Sequence, residues 1–262
     1  MKKIIYSVAL ALFCAATAQA YTRQDFARQY KDTISIVETN YKHGMPVSGY
    51  ERKQVFKSDF LMRAAEYGPK ALLAKTLALA TKPAQLFSTD KLGRTALFYA
   101  ANADFADALI NRLTALETAR ALKPGSNAHD SAPAVSVMRF LETRDHEGAT
   151  ALMVLLRDGK SSAAIRLLRR GANPCVKDKD GVTALHMAAI GANKGQVSNL
   201  IALRLVLQTC PQNASATDKE GKTPLRWAQK NENPAAYKIL RAATPQQKPN
   251  PASRWNNKLL AL

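Results

Sequence analysis

Nearly the same dozen residues occur four times in this chain, and that repetition constrains the fold more than any other feature. One copy reads DKDGVTALHMAA at 178–189, and related copies begin at Thr89, Arg144 and Thr217. All four contain Asp, two variable residues, Gly, one variable residue, Thr, then Ala or Pro, then Leu. A unit this short cannot bury an apolar face by itself, so the copies are expected to stack on one another.

The shared positions each have a structural explanation. Glycine tolerates the positive φ of a tight turn, and the Thr two residues later is predicted to cap a helix with its hydroxyl. Ala or Pro suits the first helical position, and the Leu after it is predicted to face the core. These residues are Gly93, Thr95 and Leu97; Gly148, Thr150 and Leu152; Gly181, Thr183 and Leu185; and Gly221, Thr223, Pro224 and Leu225.

A second helix is predicted after each of these short ones. The segment 163–170 is apolar on one side and stops at Gly171, which is a favourable helix C-cap. A turn, two short helices and the 33-residue spacing between Gly148 and Gly181 resemble the ankyrin repeat family, and TALHMAA at 183–189 is similar to its Thr-Pro-Leu-His motif. The resemblance implies an all-α ankyrin solenoid of about five helix-turn-helix repeats.

The ends of the stack are expected to differ from its middle. The segment 58–80 looks like a degenerate first repeat, because it lacks the turn glycine and the Thr cap. Ahead of it, Thr22 to Tyr41 is predicted to form one amphipathic helix with Phe26, Tyr30, Ile34 and Tyr41 along a stripe. The sequence therefore predicts a helical cap at 21–57, the repeat domain at 58–243 and a flexible Pro-, Asn- and Gln-rich tail at 244–262.

Two insertions lengthen the period to 55 and 40 residues. They are predicted as loops at Leu122–Ser136 and Gly191–Asn199, which are rich in Gly, Asn and Ser. Long loops on a repeat scaffold either carry function or tolerate drift, and the sequence leaves both readings open.

The first twenty residues are predicted to be a secretory signal peptide. Lys2 and Lys3 precede an apolar run from Ile4 to Thr17, and a small-residue cleavage pattern ends at Ala20. A membrane anchor is the alternative, but the run is shorter than the roughly 20 residues that span a bilayer, and no later segment is apolar enough. The mature protein is therefore expected in the periplasm or outside the cell.

The chain is strongly basic, with a formal net charge of +18 at pH 7. Loss of the two leader lysines leaves about +16. Such charge favours nucleic acid, because lysine and arginine displace counterions from phosphate, but exported proteins seldom meet nucleic acid. Acidic proteins or anionic envelope surfaces are the expected partners.

Two cysteines remain in the predicted mature chain, Cys175 and Cys210. An even number of cysteines in an oxidising compartment favours a disulfide. In the aligned repeats, one lies in the loop that enters a repeat and the other at the end of its last helix. Whether they are bonded or remain separate thiols depends on a Cα separation that the sequence does not supply.

No catalytic, cofactor or metal site is predicted. His186 occupies the Thr-Pro-Leu-His position, where the resemblance implies a structural role, and His43, His129 and His146 lack metal-ligand spacing. Nucleophile-elbow, phosphate-loop and zinc-helix motifs are missing from the sequence. The sequence therefore argues against an enzyme.

The resemblance implies that partners bind to the hairpin tips and inner helices. The candidate contact residues are Lys91, Leu92, Arg94, Lys177, Lys179, Val182, Lys219 and Lys222. Alternatively, these lysines only keep exposed hairpins soluble and block edge pairing. The predicted function is a non-catalytic protein-binding module of the cell envelope with an acidic partner, acting as an inhibitor or immunity protein. The alternative is an envelope scaffold that adheres to anionic lipid or polysaccharide through its net charge.

Overall fold

The computed structural model describes residues 21–56, 59–122, 133–191 and 196–244. Within them it contains thirteen α-helices and three short 3-10 helices, and β-type pairing is limited to two isolated bridges, Arg144 with Thr150 and Lys177 with Thr183. The predicted all-α repeat solenoid is confirmed. The chain divides into two compact units, Met1–Phe140 and Leu141–Leu262.

The first unit begins with two helices where one was predicted. α1 (Arg23–Gln29) ends at Tyr30, whose φ of −110° and ψ of 24° interrupt the helix before α2 (Lys31–Lys42). The Tyr30 hydroxyl donates a hydrogen bond to Asp59 at 2.6 Å, which holds this break against the repeat that follows. The predicted stripe is wrong at its far end, because Tyr41 is 49% exposed and Val37 is buried instead.

The remaining helices of the first unit form pairs. Their bounds are α3 (Gly49–Phe56), α4 (Phe60–Glu66), α5 (Lys70–Ala78), the 3-10 helix Pro83–Gln85, and α6 (Ala103–Ala121). α4 packs against the short 3-10 helix Ala96–Tyr99, and α5 packs against both α2 and α6. Phe26, Tyr30 and Phe60 form an aromatic cluster with ring centroids 5.4 to 5.9 Å apart, so the N-terminal helices bury their apolar side chains against the first repeat.

The first long insertion contains a helix. α7 (Pro133–Leu141) begins inside the segment predicted as a loop, since proline fits the first helical position. Ser136 on α7 donates to the buried carboxylate of Glu117 on α6 at 2.9 Å. The loop prediction was therefore wrong for the described residues from Pro133 onward, and residues 123–132 lie outside the described part.

The second unit consists of three regular repeats. The inner helices are α8 (Ala151–Arg157), α10 (Ala184–Ile190) and α12 (Pro224–Lys230), and the outer helices are α9 (Ser161–Arg169), α11 (Val197–Thr209) and α13 (Pro234–Ala243). Neighbouring inner helices pack against each other, as do neighbouring outer helices. The 3-10 helix Pro211–Ser215 follows α11. α11 begins at Val197, inside the predicted loop Gly191–Asn199, which was therefore too long at its C-terminal end.

The shared leucines face the core as predicted, with one exception. Leu97, Leu152 and Leu185 are almost fully buried, whereas Leu225 is half-buried. Leu225 lies in the last described repeat, where no further repeat follows in the described residues to cover it. The predicted signal peptide at 1–20 and nearly all of the predicted tail at 244–262 lie outside the described residues.

Candidate functional site

Each hairpin is organised by the aspartate that begins the shared motif. Oδ1 of Asp178 accepts hydrogen bonds from the amides of Asp180 and Val182, at 2.9 and 2.8 Å. The Asp178 amide donates to the carbonyl oxygen of Val182 at 2.9 Å, which closes the turn. Burial raises the pKa of the Asp178 carboxyl, and the two amide donors act against that shift. The same hydrogen bonds recur at Asp90, Asp145 and Asp218.

The motif glycines have the positive φ that the sequence predicts. The φ values are 78°, 81°, 76° and 72° at Gly93, Gly148, Gly181 and Gly221. At Gly148 a second constraint applies, because a Cβ there would lie 3.1 Å from the amide nitrogen of Lys179 in the next hairpin. Gly221 has nothing within 4 Å of the same position. Close approach between hairpins therefore adds to the requirement for glycine at Gly148.

The three hairpins of the second unit, begun by Asp145, Asp178 and Asp218, are joined through the main chain, and we call them the hairpin row. The amide of Lys179 donates to the carbonyl oxygen of Glu147 at 3.0 Å, and the amide of Lys219 donates to that of Asp180 at 2.8 Å. These bonds use main-chain atoms alone, and the ammonium groups of the same two lysines also reach the preceding hairpin.

His186 links one repeat to the next. Its ring is fully buried, with Nδ1 3.2 Å from the amide nitrogen and 2.9 Å from the hydroxyl of Thr183. Because an amide only donates, Nδ1 accepts and the ring proton is assigned to Nε2. Nε2 then donates to the carbonyl oxygen of Lys222 at 3.1 Å. Burial lowers the pKa of His186, so the ring stays neutral while it makes both contacts.

The candidate contact residues differ in accessibility. Leu92 is 51% exposed, whereas Val182 is only 5% exposed. The selection of Val182 as a contact was therefore wrong for its side chain, which lies inside the hairpin rather than at its tip. Lys91, Lys177, Lys179 and Lys219 are exposed, and Arg94 and Lys222 are half-buried.

The hairpin row carries alternating charges rather than a uniform positive charge. Lys219 lies 3.2 Å from the carboxylate of Asp180, and Lys222 pairs with Glu220. Lys179 turns back to the carbonyl oxygen of His146 at 2.7 Å. Across the three hairpins, with the residue before each aspartate included, six acidic residues face five basic ones. The net charge of the chain is thus not concentrated here.

Comparison with known families accounts for this arrangement. A family model of ankyrin repeats matches residues 152–251 in three copies, the span of the regular repeats. This region of the chain consists of ankyrin repeats. Its hairpins, inner helices and outer helices are therefore the corresponding parts of ankyrin repeats.

The chain is also similar to a mouse protein. The NF-kappa-B inhibitor delta of Mus musculus is 29% identical over 161 residues, which cover 62% of this chain and 42% of that relative. The match spans less than half the length of the relative. Together with the family match, it supports a protein-binding module.

The threonine caps of the ankyrin repeats are only partly as predicted. Thr223 accepts a hydrogen bond from the Arg226 amide at 3.4 Å, and Thr183 bonds to His186. The hydroxyl oxygens of Thr95 and Thr150 are buried and have no hydrogen-bond partner among the described residues. At Thr95 the reason is visible: the Phe98 amide donates to the carbonyl oxygen of Thr95, at 3.1 Å, so it does not reach the hydroxyl.

A disulfide joins Cys175 and Cys210, with a Cα separation of 5.6 Å. This settles the question that the sequence left open in favour of the bonded pair. Beside it, the side-chain amide of Asn213 donates to the carbonyl oxygen of Pro174 at 3.2 Å. The two contacts tie the loop that enters one repeat to the segment that leaves it.

Two aromatic partners of the hairpin aspartates were missed. The Trp227 indole donates to Oδ2 of Asp218 at 2.8 Å, and the Tyr99 hydroxyl donates to Oδ2 of Asp90 at 2.5 Å. Both aromatic residues lie nine positions after the aspartate, so the shared spacing was a signal that could have identified them. These bonds leave both aspartates with both carboxylate oxygens engaged.

The described residues were also searched for metal sites and for membrane-spanning helices. In residues 21–56, 59–122, 133–191 and 196–244, no group of three or more His, Cys, Asp or Glu side chains is placed to hold a metal ion. In the same ranges, no helix is long and apolar enough to cross a membrane.

Proposed function

We propose that this ankyrin-repeat protein is an exported, non-catalytic module that binds a partner protein through its hairpin tips and inner helices. The observation that carries the proposal is the main-chain joint between hairpins. Lys179 and Lys219 bond to the preceding hairpin through their amides as well as their ammonium groups, so the main-chain joint remains when the side chains engage a partner. A preformed surface loses little conformational freedom on binding, which favours affinity.

The proposed partner is acidic. The chain carries a net charge of +18, and a field of this sign raises the association rate of a negatively charged protein. The alternating charges of the hairpin row would then fix the register of the complex, because like charges placed opposite each other are costly. The apolar side chain of Leu92, which is 51% exposed, adds a contact site in the first unit.

An inhibitory role belongs to the same proposal. A rigid surface that covers a functional patch of its partner blocks that patch without any chemistry. The similarity to a relative named as an inhibitor supports this role. In an exported protein, the target would be an enzyme or a toxin, and this chain would be its inhibitor or immunity protein.

The envelope location rests on two observations. Residues 1–20 have the basic, apolar and small-residue pattern of a signal peptide. The disulfide between Cys175 and Cys210 is a bond that persists in oxidising compartments and is rare in the cytosol. Fractionation of cells that express the full chain with a C-terminal tag, with N-terminal sequencing of the product, tests the location directly. Cytosolic protein that begins at Met1 would contradict it.

The binding proposal is tested with two variants that lose the same charge. A hairpin variant carries Lys177→Gln, Lys179→Gln and Lys219→Gln, and a matched control carries Arg169→Gln, Arg204→Gln and Lys238→Gln on the outer helices. Each chain captures partners from crosslinked envelope extract at about 150 mM salt, where the Debye length is about 8 Å. The main captured protein is identified, purified and titrated against each chain by calorimetry.

The expected result is a partner whose Kd rises at least about tenfold with the hairpin variant, since three central contacts are removed. With the matched control, the Kd should change by less than about threefold. Equal weakening by both variants would show that net charge alone drives the association, and an unaffected Kd with the hairpin variant would place the contact elsewhere.

A further inference from the structure

The outer helices carry the largest share of the excess positive charge in the described part of the second unit. α9, α11 and α13 contain Arg166, Arg169, Arg204, Lys238 and Arg241 but no Asp or Glu. Neighbouring outer helices pack side by side, so their solvent-facing side chains form one surface. Among the described residues, no carboxylate forms an ion pair with Arg169, Arg204, Lys238 or Arg241.

Two aliphatic side chains lie on the same surface. Val197 is 72% exposed and Ile201 is 50% exposed, and both are on α11. With Arg204 they are spaced at i, i+4 and i+7, which places the three side chains on one stripe of that helix. An aliphatic pair beside an arginine, all facing solvent, is not explained by packing within the chain.

We infer that this outer face, made of Arg169, Val197, Ile201, Arg204, Lys238 and Arg241, binds the anionic surface of a lipid membrane. Basic residues are attracted to anionic headgroups, and a small apolar group that enters the interface strengthens such binding. This inference goes beyond the proposed function and uses a different face of the protein.

Charge complementarity favours a bilayer over a protein for this face. A protein surface mixes acidic and basic groups, as the hairpin row does, whereas an anionic leaflet presents a single sign over a wide area. Every charged residue of the outer face is basic. Protein hot spots are enriched in aromatic residues, and the large exposed apolar residues on the described outer helices are only Val197 and Ile201.

Helix stability explains part of this charge but not all of it. Arg169 and Arg241 lie in the last turns of α9 and α13, where cations interact favourably with the helix dipole. Arg204 lies outside the last turn of α11. The dipole also gives no reason for the exposure of Val197 and Ile201, so the surface as a whole needs a further explanation.

The test is vesicle co-sedimentation with the two charge variants described above. Here the outer-helix variant is the test and the hairpin variant is the matched control. The vesicles contain two parts phosphatidylcholine to one part phosphatidylglycerol, and pure phosphatidylcholine vesicles are the reference. All chains are produced in the same cells and have the same N-terminus, so any contribution of the leader is equal. Circular dichroism and thermal melting verify that each variant remains folded.

The wild type is expected to sediment with the anionic vesicles and not with the neutral ones. Arg169→Gln, Arg204→Gln and Lys238→Gln together should lower the partition coefficient about a hundredfold, since each basic residue near an anionic surface contributes about fivefold. The hairpin variant, with the same net charge, should lose less than about fivefold. A second variant, Val197→Ser with Ile201→Ser, keeps the charge and should lose about tenfold.

Three outcomes would overturn the inference: no binding of the wild type to anionic vesicles, equal loss with both charge variants, or full binding by the Val197→Ser, Ile201→Ser variant. None of these outcomes contradicts the proposed binding of a partner protein, because the capture and calorimetry experiment tests that binding with the hairpin variant. If the outer-face variant instead loses a captured protein, the face binds a protein and the membrane assignment is wrong.

Discussion

In the second unit, consecutive hairpins are joined by main-chain hydrogen bonds, whereas the first unit joins its repeats in another way. There, the Ala101 amide donates to the carbonyl oxygen of Ala65 at 3.1 Å. The Arg112 guanidinium donates to the carbonyl oxygens of Ala78 and Ala80, at 3.0 and 2.5 Å. A helix-end contact and one long side chain thus replace the hairpin-to-hairpin bonds.

The difference follows from the degenerate repeat. The segment 58–80 contains no DxxG turn, so the hairpin that begins at Asp90 has no hairpin ahead of it to bond. The two repeats must therefore be tied through their helices. The loss of a turn motif therefore changes the contacts between a repeat and its neighbour as well as the local shape of the repeat.

Removing the disulfide of the second unit should change the free energy of unfolding more than any of the other substitutions below. Cys175→Ser with Cys210→Ser opens a loop whose ends are 35 residues apart, which is expected to lower the free energy of unfolding by about 3–4 kcal/mol. Urea denaturation followed by Trp227 fluorescence in a Trp255→Phe background measures it. Reduction of the wild type should reproduce the loss, and an unchanged midpoint would show that the bond does not constrain the unfolded chain.

The close approach of hairpins is tested by a glycine pair. Gly221→Ala has open space and should cost about 1–2 kcal/mol, the price of a side chain at positive φ. Gly148→Ala meets the Lys179 amide as well and should cost about 2–3 kcal/mol. The same denaturation measures both variants. Equal costs would indicate that the hairpins separate easily and that the main-chain joint is weak.

Arg112 provides the corresponding test in the first unit. Arg112→Met leaves the carbonyl oxygens of Ala78 and Ala80 without this donor and should cost about 2 kcal/mol, the usual effect of losing hydrogen bonds to a charged group. Hydrogen exchange of peptides within 59–122 should accelerate accordingly. Arg112→Lys, which keeps the charge and restores one donor, should recover part of the protection. Unchanged exchange in Arg112→Met would leave the Ala101 to Ala65 bond as the main joint.

The smallest effect is expected at His186. His186→Phe should cost about 1–2 kcal/mol near pH 8, because the Lys222 carbonyl loses its donor. The pKa of His186 is lowered from its ordinary value of 6.5, so below that pH the unfolded chain binds more protons and the stability of the wild type falls. The variant lacks this contribution. The difference in free energy of unfolding between the two should therefore shrink from pH 8 to pH 5, and a constant difference would contradict the assignment.

The sequence predicted those features that a short motif determines alone. The positive φ of each glycine and the burial of three of the four leucines follow from local chemistry, and the 33-residue period identifies the repeat. Features that depend on another part of the chain were missed. TALFYAA at 95–101 reads like TALHMAA at 183–189, yet it forms a four-residue 3-10 helix. Ala100 leaves the helical conformation there, with φ of −51° and ψ of 114°, and the next amide bonds to Ala65, a partner that the motif does not contain.

The candidate contact residues of the hairpins were also difficult to predict from a short motif. Val182 was selected because its hairpin is exposed, but the equivalent positions hold Arg94, Ala149 and Lys222, so the pattern implied no single environment. The lysines of the hairpin row were selected without the aspartates and glutamates beside them, which offset their charge. Only the helix bounds show that the outer helices carry the largest share of the excess positive charge.

Main-chain joints have a consequence for how such a surface can change over generations. Every residue except proline supplies the amide that Lys179 and Lys219 contribute, so these positions can accept many side chains while the hairpins remain in place. Mutation can then vary the proposed binding surface with little loss of stability, because exposed side-chain contacts such as those of Lys179 and Lys219 contribute little. A fold joined in this manner is readily evolvable, because new specificities can be sampled at its tips without first being compensated in its core.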